Sequence, residues 1–165
     1  MEVKRGFSQN PEEISWRRKA PYGPWAQEPD WAVWEHDNGY QCFTRRNSGG
    51  AWCGYVVVDP GHPINITVES QYGTQDLTSC NPVYLEVHGG VTWHASMNFD
   101  EVGIRALVVG FDCAHSGDKV PSMASFSGLP DVYRDLDYAT EQTNHLADQI
   151  NEYAPMWQLV EAGKQ

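Results

Sequence analysis

The sequence predicts an α+β fold, in which a mainly antiparallel sheet carries a long C-terminal helix on one face. Short apolar segments lie at hairpin spacing between residues 31 and 58, with turn signals at 37–39 (Asp-Asn-Gly) and 47–50 (Asn-Ser-Gly-Gly). Further along, apolar residues recur at helical spacing from Leu136 to Ile150, with acidic residues on the opposite face. The short turns favour antiparallel pairing, and the apolar stripe of the helix is expected to pack on the sheet.

The first thirty residues are predicted to be irregular, because four prolines interrupt any long element. Asn10 and Pro11 suit the start of a short helix over residues 12–19. The segment is also rich in tryptophan, and packing of these rings onto the core is favoured over an aromatic cage for a ligand. The residues concerned are Pro11, Pro21, Pro24 and Pro29, and Trp16, Trp25, Trp31 and Trp34.

Residues 31–155 are predicted to form the core of a single domain that comprises residues 1–165. The last predicted strand lacks alternation of apolar and polar residues, which is typical of a central strand covered on both faces. Asp131 is expected to cap a helix over 132–152, and Pro155 is expected to end the helical region. The predicted strands are 31–34, 40–45, 52–58, 64–68, 83–88 and 105–112.

The composition limits the classes of partner. The net charge is −11 with a pI of about 4.8, and basic residues form no long block, with short clusters such as those at 17–19 and 45–46. This balance argues against general nucleic-acid binding, which depends on neutralising phosphates. It leaves room for a small anionic ligand, which needs only a local group of amides or one arginine. Four cysteines without a Cys-x-x-Cys pair, no export signal and no stretch of transmembrane length predict a cytoplasmic protein with four free thiols.

The densest polar group in the sequence is Asp112-x-x-His115-x-x-Asp118, which follows the strand at 105–112. Together with His88, these side chains are candidate ligands for a divalent metal ion, because Zn²⁺, Mn²⁺ and iron are commonly bound by imidazole and carboxylate. Asp112, His115 and His88 also suit general acid–base catalysis. Alternatively, the two aspartates cap loop amides and His115 is a half-buried structural residue.

Neighbouring residues could extend this site. Cys113 is a candidate nucleophile, since a nearby imidazole can lower the pKa of a thiol, although a buried structural cysteine is the alternative. Gly89 and Gly90 permit a positive φ or the close approach of a ligand, or they form a tight hairpin turn. The candidate ligand-binding residues are therefore His62, Gly89, Gly90, Glu86 and Tyr55.

The two strands at 83–88 and 105–112 determine whether these groups meet. If the strands are neighbours with their site ends together, His88 comes within reach of Asp112, His115 and Asp118. Clustered carboxylates and imidazoles are costly to bury without a partner. Convergence on one pocket would therefore favour catalysis or metal binding over a purely structural role.

Five short motifs occur in order along residues 38–150. They are Cys53-Gly-Tyr-Val56, Gly61-His62-Pro63, His88-Gly-Gly90, Gly110-Phe-Asp-Cys-Ala-His115-Ser-Gly-Asp118, and Tyr133-Arg-Asp with Glu141 and Leu146-Ala147. In this set the chain resembles a family of small proteins of bacteriophages, prophages and bacteria for which no activity is established. The resemblance implies a phage-type protein in the cytoplasm of a bacterial host. It also implies that His62 belongs to one set with His88, Asp112, His115 and Asp118.

Two functional hypotheses follow from different classes. The first is a small hydrolase, metal-assisted in one version, that acts on a phosphoester or nucleotide-like ligand. The second is a binding module without catalysis, which sequesters a host nucleotide signal or binds a host defence protein. In the second case the amides of Gly89 and Gly90, one of Arg45 and Arg105, and the tryptophans would hold the ligand. A virion or structural role would leave the polar cluster unexplained.

Overall fold

The computed structural model describes residues 2–64, 85–125 and 129–162. This part of the chain forms a six-stranded antiparallel sheet with a long helix packed on it, which confirms the predicted α+β class. The strand order is β1-β2-β3-β4-β6-β5. The elements are β1 (Val3–Gly6), α1 (Trp16–Lys19), β2 (Trp31–Glu35), β3 (Gln41–Arg46), β4 (Trp52–Val58), β5 (Trp93–Phe99), a 3-10 turn (Asp100–Val102), β6 (Ile104–Asp112) and α2 (Leu136–Ala162).

The two predicted hairpin turns join β2 to β3 and β3 to β4. In the second turn, Asn47 accepts hydrogen bonds at its side-chain Oδ1 from the amides of Gly49 and Ala51, and its backbone pairs with Ala51 and Gly50. Local side-chain bonding of this kind is the reason that Asn favours turns. The predicted strands at 52–58 and 105–112 are found as β4 and β6, and β6 lies inside the sheet between β4 and β5.

The N-terminal region is more regular than predicted. Residues 3–6 form the edge strand β1, which pairs with β2 so that Val3 lies opposite Trp34 and Gly6 opposite Trp31. The prediction of an irregular first segment was therefore wrong for this strand, because its four residues are too short to show a period and gain their backbone partners from β2. The helix is also shorter than predicted: Asn10 caps a turn at Glu12, and α1 begins at Trp16.

Helix α2 begins later and ends later than the sequence pattern indicated. The Oδ1 atom of Asp135 accepts a hydrogen bond from the amide of Tyr138, so Asp135 is the cap and not Asp131. The helix continues past Pro155 to Ala162, because an internal proline removes one backbone hydrogen bond without necessarily ending a helix. Among the helices that the structure describes, none has the length and apolar character needed to cross a bilayer.

Apolar residues pack on both faces of the sheet. Val56, Val109 and Phe111 belong to the cluster that α2 covers with Leu146 and Ile150. The alternate positions along the strands form a second cluster that contains no residue of α2. Its buried members are Phe43, Phe99, Ile104 and Val108. The period-2 alternation of the strands thus separates two cores, one on each side of the sheet.

The segment predicted as a strand at 83–88 is not a strand in the part that the structure describes, residues 85–88. Two glutamines of α2 bond to its backbone instead of a neighbouring strand. Gln149 accepts from the amide of Glu86 and donates to its carbonyl, and Gln142 accepts from the amide of His88. These bonds satisfy backbone groups that a sheet ladder would otherwise pair. Residues 83 and 84, and the strand predicted at 64–68 beyond Ile64, lie outside the described residues.

Candidate functional site

The candidate site lies where β6 ends and the chain turns through residues 113–118. At this end of the sheet, the β3–β4 turn, α1 and the loop after β6 surround a cavity of about 670 Å³. This volume falls within the range of cavities that bind small molecules. The lining residues are Ser15, Lys19, Asn47, Ser48, Gly49, Ala114, His115, Ser116, Gly117, Asp118, Val120, Ser122, Met123, Ala124 and Asp131.

His115 lines this cavity and forms an imidazole–carboxylate pair with Asp112. The Nε2 atom of His115 lies 3.3 Å from Oδ1 of Asp112, which is an ion-pair distance without hydrogen-bond alignment. Asp112 is held from two other sides, since its Oδ1 accepts from the amide of Ala114 and its Oδ2 accepts from the hydroxyl of Thr92. The His115 side chain keeps 35% of its exposure. It is therefore a partly open imidazole with an anchored carboxylate behind it.

His88 and Asp118 form a second imidazole–carboxylate pair, which is much more enclosed. Asp118 has only 2% of its side chain exposed, and its Oδ2 lies 2.7 Å from Nε2 of His88. The same oxygen accepts from the amide of His115, and the other oxygen accepts from Nε of Arg134. The second ring nitrogen of His88, Nδ1, lies 2.7 Å from the hydroxyl of Tyr138. All polar atoms of the His88 side chain thus have protein partners.

The structure brings the four predicted residues together, although by a different route from the one expected. The ring centres of His88 and His115 are 6.0 Å apart, and each imidazole has its own carboxylate partner. The strand pairing assumed for residues 83–88 is absent, and the helix glutamines and Asp118 position His88 instead. Two separate acid–base pairs, and not one four-residue cluster, therefore occupy this end of the sheet.

The metal-binding interpretation does not follow from this arrangement. Within the described ranges, no group of three or more His, Cys, Asp or Glu side chains is placed to hold a metal ion. His88 has no lone pair left for a metal, since both its ring nitrogens bond to protein atoms. Asp118 likewise has both carboxylate oxygens engaged. These side chains are arranged for hydrogen bonding and proton transfer.

Gly89 serves the site by making room for an imidazole. Gly89 and Gly90 both have positive φ angles, 68° and 82°, as the sequence suggested. A Cβ atom on Gly89 would lie 2.2 Å from Cδ2 and Nε2 of His115, whereas one on Gly90 would meet nothing within 4 Å. The close approach to the backbone is thus made by the His115 ring, in the place where a ligand was predicted.

The other predicted ligand-binding residues lie apart from the cavity. Glu86 is exposed and takes part through its backbone bonds to Gln149. Tyr55 stacks on Phe43 in the cluster that faces away from α2. His62 follows the opposite end of β4 from Cys53, the partner of Asp112, and the strand between them spans about 17 Å.

His62 is engaged in local contacts at that far end. Its Nε2 atom lies 2.9 Å from the Tyr40 hydroxyl, and its Nδ1 accepts from the amide of Ile64. Burial lowers the pKa of His62. The common set that the family resemblance implied is therefore divided in space, with His62 separated from the four residues near the cavity.

Cys113 lies between Asp112 and His115 in sequence, but its environment does not suit a nucleophile. Its side chain is buried, and burial is the main cause that raises the pKa of the thiol above its usual range. A reactive cysteine needs thiolate character and access, and Cys113 lacks both. Cys42, Cys53 and Cys113 are unpaired and buried, while Cys80 lies outside the described residues. The three thiols that the structure describes are thus packed as core residues.

Several residues of the site were not among the predicted ones. Tyr138 and Gln142 lie one helical turn apart on α2 and both contact His88, while Arg134 precedes the helix and reaches Asp118. Their i, i+4 spacing on the polar side of α2 was a usable signal for a shared face. It could not be read as a site, however, because nothing in the sequence indicates which segment packs against that face.

Comparison of the chain with protein-family models, with curated proteins and with solved structures finds no match. The resemblance to a family of phage and bacterial proteins therefore stays a prediction. Function has to be argued from the chemistry of the site itself.

Proposed function

We propose that this chain is a hydrolase that acts on a small phosphoester or nucleotide-like ligand by acid–base chemistry at His115. The observation that carries the proposal is the imidazole of His115, which lines a cavity of about 670 Å³ and has Asp112 as its carboxylate partner. A partly exposed imidazole with an anchored carboxylate is a recurrent arrangement for general acid–base catalysis. A cavity of this size can enclose a small ligand and limit the access of bulk water.

The cavity wall suits a polar and anionic ligand. Lys19 supplies a cation, and Asn47, Ser48 and Ser116 supply hydrogen-bonding groups. Lys can hold a phosphate as a point charge, and hydroxyl and amide groups can orient it. Two acidic residues, Asp118 and Asp131, share the wall; Asp118 is engaged within the protein, and Asp131 would favour a ligand that also carries donor groups. A nucleotide has both the phosphate and the base donors that such a wall could bind.

The direction of proton transfer follows from which edge of the His115 ring is covered. Its Nε2 atom is buried against Asp112, so the Nδ1 edge is the one that can reach the cavity. Nδ1 would give a proton to the leaving oxygen and take one from the attacking water. Asp112 would stabilise the imidazolium that forms between these steps, as carboxylates do in related acid–base pairs.

The test measures turnover of a panel of nucleotides and aryl phosphate esters by the wild-type chain and by His115→Gln. Loss of general acid–base catalysis should lower the rate by about 10²–10⁴-fold. His145→Gln is the matched control, because His145 is an exposed histidine of α2 away from the cavity. Turnover that is equal in His115→Gln and His145→Gln, or no turnover of any compound in the panel, would count against the hydrolase.

A binding module is the second candidate, and one observation favours it. Both polar groups of the His88–Asp118 pair are fully used within the protein, so only one of the two pairs is open to a ligand. A cavity with a single open imidazole could retain a nucleotide signal without changing it. Mass spectrometry of the protein after incubation with each nucleotide separates the two functions. Stoichiometric retention of intact ligand supports the binding module, and release of product supports the hydrolase.

A further inference from the structure

Three side chains form a continuous hydrogen-bonded chain beside the candidate site. The Tyr138 hydroxyl lies 2.7 Å from Nδ1 of His88, and Nε2 of His88 lies 2.7 Å from Oδ2 of Asp118. The rings of Tyr138 and His88 meet edge to face, with centroids 5.3 Å apart. This relay of Tyr138, His88 and Asp118 begins at a half-buried phenol on α2 and ends at a carboxylate that is only 2% exposed.

The direction of these hydrogen bonds follows from the chemistry of the groups. An ionised carboxylate only accepts, so Nε2 of His88 carries the proton that points at Asp118. In the neutral imidazole the other nitrogen then has a lone pair and no proton. Nδ1 of His88 therefore accepts, and the Tyr138 hydroxyl donates. The phenol proton is aimed at a base whose opposite side is already held by a carboxylate.

Neighbouring groups hold this relay in place without using the Tyr138 hydroxyl. Arg134 donates to Asp118 and places its guanidinium 4.7 Å from the centre of the Tyr138 ring. Gln142 and Gln149 already attach α2 to the backbone of residues 86–88. The hydroxyl of Tyr138 is thus not needed to hold the two segments together.

We propose that Tyr138 is a nucleophile, activated by His88 as the base and oriented through Asp118. A hydroxyl, a base within hydrogen-bonding reach and a third group that orients the base are the recurring parts of covalent catalysis. Burial raises the pKa of Tyr138, so its proton has to be removed during attack and a preformed phenolate is not available. The electrophile it would take is a phosphoryl group, which deepens the proposed phosphoester hydrolase and rests on it.

The reaction balances with the residues present. Tyr138 Oη attacks phosphorus as the bond to the leaving oxygen breaks, the phenol proton passes to Nδ1 of His88, and Asp118 offsets the imidazolium charge. Protonated His115 gives its proton to the leaving oxygen. Water then attacks the phosphotyrosine, neutral His115 takes the proton of the water, and His88 returns a proton to Tyr138 as the phosphorus–tyrosine bond breaks.

The test uses a small aryl sulfonyl fluoride, which needs no knowledge of the substrate. Attack by a phenol forms a sulfur–oxygen bond, releases fluoride and transfers the proton to the base. Tyr22 is the internal control, because it is 88% exposed and Tyr138 is half-buried. An ordinary phenol ionises near about pH 10 and reacts slowly at neutral pH. Peptide mass spectrometry at pH 7 should show Tyr138 labelled at least tenfold faster than Tyr22.

Two variants test the base and separate this proposal from the hydrolase. His88→Gln should reduce the labelling of Tyr138 to the rate of Tyr22, and Tyr138→Phe should remove it. His115→Gln should leave the labelling of Tyr138 close to the wild-type rate while it lowers turnover by about 10²–10⁴-fold, because the labelling depends on His88 and the side chain of His115 pairs with Asp112 instead. If His88→Gln fails to fold, the test is the ratio of the labelling rates of Tyr138 and Tyr22 in the wild-type protein. The same ratio in urea-unfolded protein is the reference.

The outcomes are distinguishable. Labelling of Tyr138 at or below the rate of Tyr22 in the folded protein overturns the nucleophile, even if hydrolysis that depends on His115 is observed. Fast labelling of Tyr138 that is retained in a folded His88→Gln variant overturns the role of His88 as its base. Fast labelling that depends on His88 supports the activated phenol, even if the phosphoester panel shows no turnover.

Discussion

Two polar networks of similar composition flank the start of α2, and they differ in the group at their centre. The first, here the arginine network, contains Arg46, Glu28, Asp30, Arg17 and Tyr133. The second, here the imidazole network, contains His88, Asp118, Arg134 and Tyr138. Each ends in a tyrosine near the N-terminus of α2, and each includes a carboxylate and an arginine.

The arginine network attaches the N-terminal segment to the sheet. Arg46 is only 2% exposed and lies between the rings of Trp16 and Trp52, with its guanidinium 4.7 Å and 4.2 Å from their centres. It donates to the carbonyl of Gly50 and to the Tyr133 hydroxyl. Guanidinium keeps its charge across the physiological range, so this network has one protonation state. That constancy suits a structural anchor.

The imidazole network has the same kinds of neighbours but a centre that can gain and lose a proton. An imidazole can both accept and donate a proton, and here it lies between a phenol and a carboxylate. The network also adjoins the cavity through Asp118 and the amide of His115. The comparison indicates that burial and hydrogen bonding do not by themselves identify a functional site. The imidazole network is the candidate because it contains a group that can transfer a proton and adjoins a cavity.

The largest effect is expected when the arginine network loses its centre. Arg46→Met should lower the free energy of unfolding by about 3–5 kcal/mol, because it removes the buried cation between two carboxylates: Glu28 loses its cation, and Asp30 keeps only Arg17. Urea unfolding followed by tryptophan fluorescence measures the change. Arg105→Met is the matched control, since Arg105 pairs with Asp100 at a site where both side chains are 74% exposed. The control should change stability by less than about 1 kcal/mol.

This prediction also has a functional part. Arg46 touches neither His88 nor His115, so any hydrolysis or tyrosine labelling should persist under conditions in which Arg46→Met remains folded. A stability loss of Arg46→Met no greater than that of Arg105→Met would remove the distinction between a buried anchor and a surface pair.

The next effect concerns Asp118, which belongs to the imidazole network. Asp118→Asn should lower the free energy of unfolding by about 2–3 kcal/mol, because three donors lose an anionic acceptor that is only 2% exposed. Asp100→Asn is the control, at an exposed carboxylate. Unlike Arg46→Met, Asp118→Asn should also slow the labelling of Tyr138 in protein that is still folded. Retention of the wild-type labelling rate would contradict the orienting role of Asp118.

The sequence predicted the fold class well because its evidence was local. Three kinds of short-range pattern specify hairpins and an amphipathic helix without knowledge of the rest of the chain. They are the turn residues at 37–39 and 47–50, the apolar run of β4 and the helical periodicity of α2. It failed at Val3–Gly6, which is too short to show a period. It also failed at 85–88, where the backbone partners are glutamine side chains that are distant in sequence.

The site was predicted in part for the same reason. Asp112, His115 and Asp118 are close in sequence, so one loop brings them together. The partners of His88 are distant in sequence, since Tyr138 and Gln142 are about fifty residues away. Their contact with His88 depends on how α2 crosses the sheet. Separation into two pairs, rather than one metal site, depends on the directions of individual hydrogen bonds. Spacing in the sequence carries no information on those directions.

The imidazole of His94 lies outside both networks, and its pKa is lowered mainly by burial. Burial is the main cause that lowers the pKa of His94 from its ordinary value of 6.5 to about 4, and His62 adds to the effect. Between these values the unfolded chain binds a proton at this position and the folded chain does not. Stability should therefore fall as the pH is lowered from 6.5 towards 4, by up to about 1.4 kcal/mol per pH unit from this residue.

His94→Gln isolates that contribution, because glutamine does not titrate. Urea unfolding at several pH values gives the free energy of unfolding of the wild type and of His94→Gln. The wild-type value minus the variant value should decrease as the pH falls below 6.5, because only the wild type loses stability through His94. A difference that stays constant from pH 7.5 to pH 4.5 would show that His94 does not resist protonation in the folded protein.

The smallest effect on stability, and the most local test of the site, comes from the two glycines after His88. Gly89→Ala and Gly90→Ala both place a side chain at a positive φ, so each should cost about 1–2 kcal/mol of stability. Only the new Cβ at position 89 would meet the His115 ring, at 2.2 Å. The ring must then shift from its present position beside Asp112, whereas Gly90→Ala leaves it in place.

Carbon–proton NMR spectra of the histidine rings test this difference without a substrate. The ring resonances of His115 should shift in Gly89→Ala and remain near the wild-type positions in Gly90→Ala, while those of the exposed His145 should stay unchanged in both. Any turnover should fall only in Gly89→Ala, because displacement by about one ångström is enough to disturb a proton-transfer geometry. Equal shifts of His115 in the two variants would mean that backbone strain, and not contact with the ring, links this turn to the site.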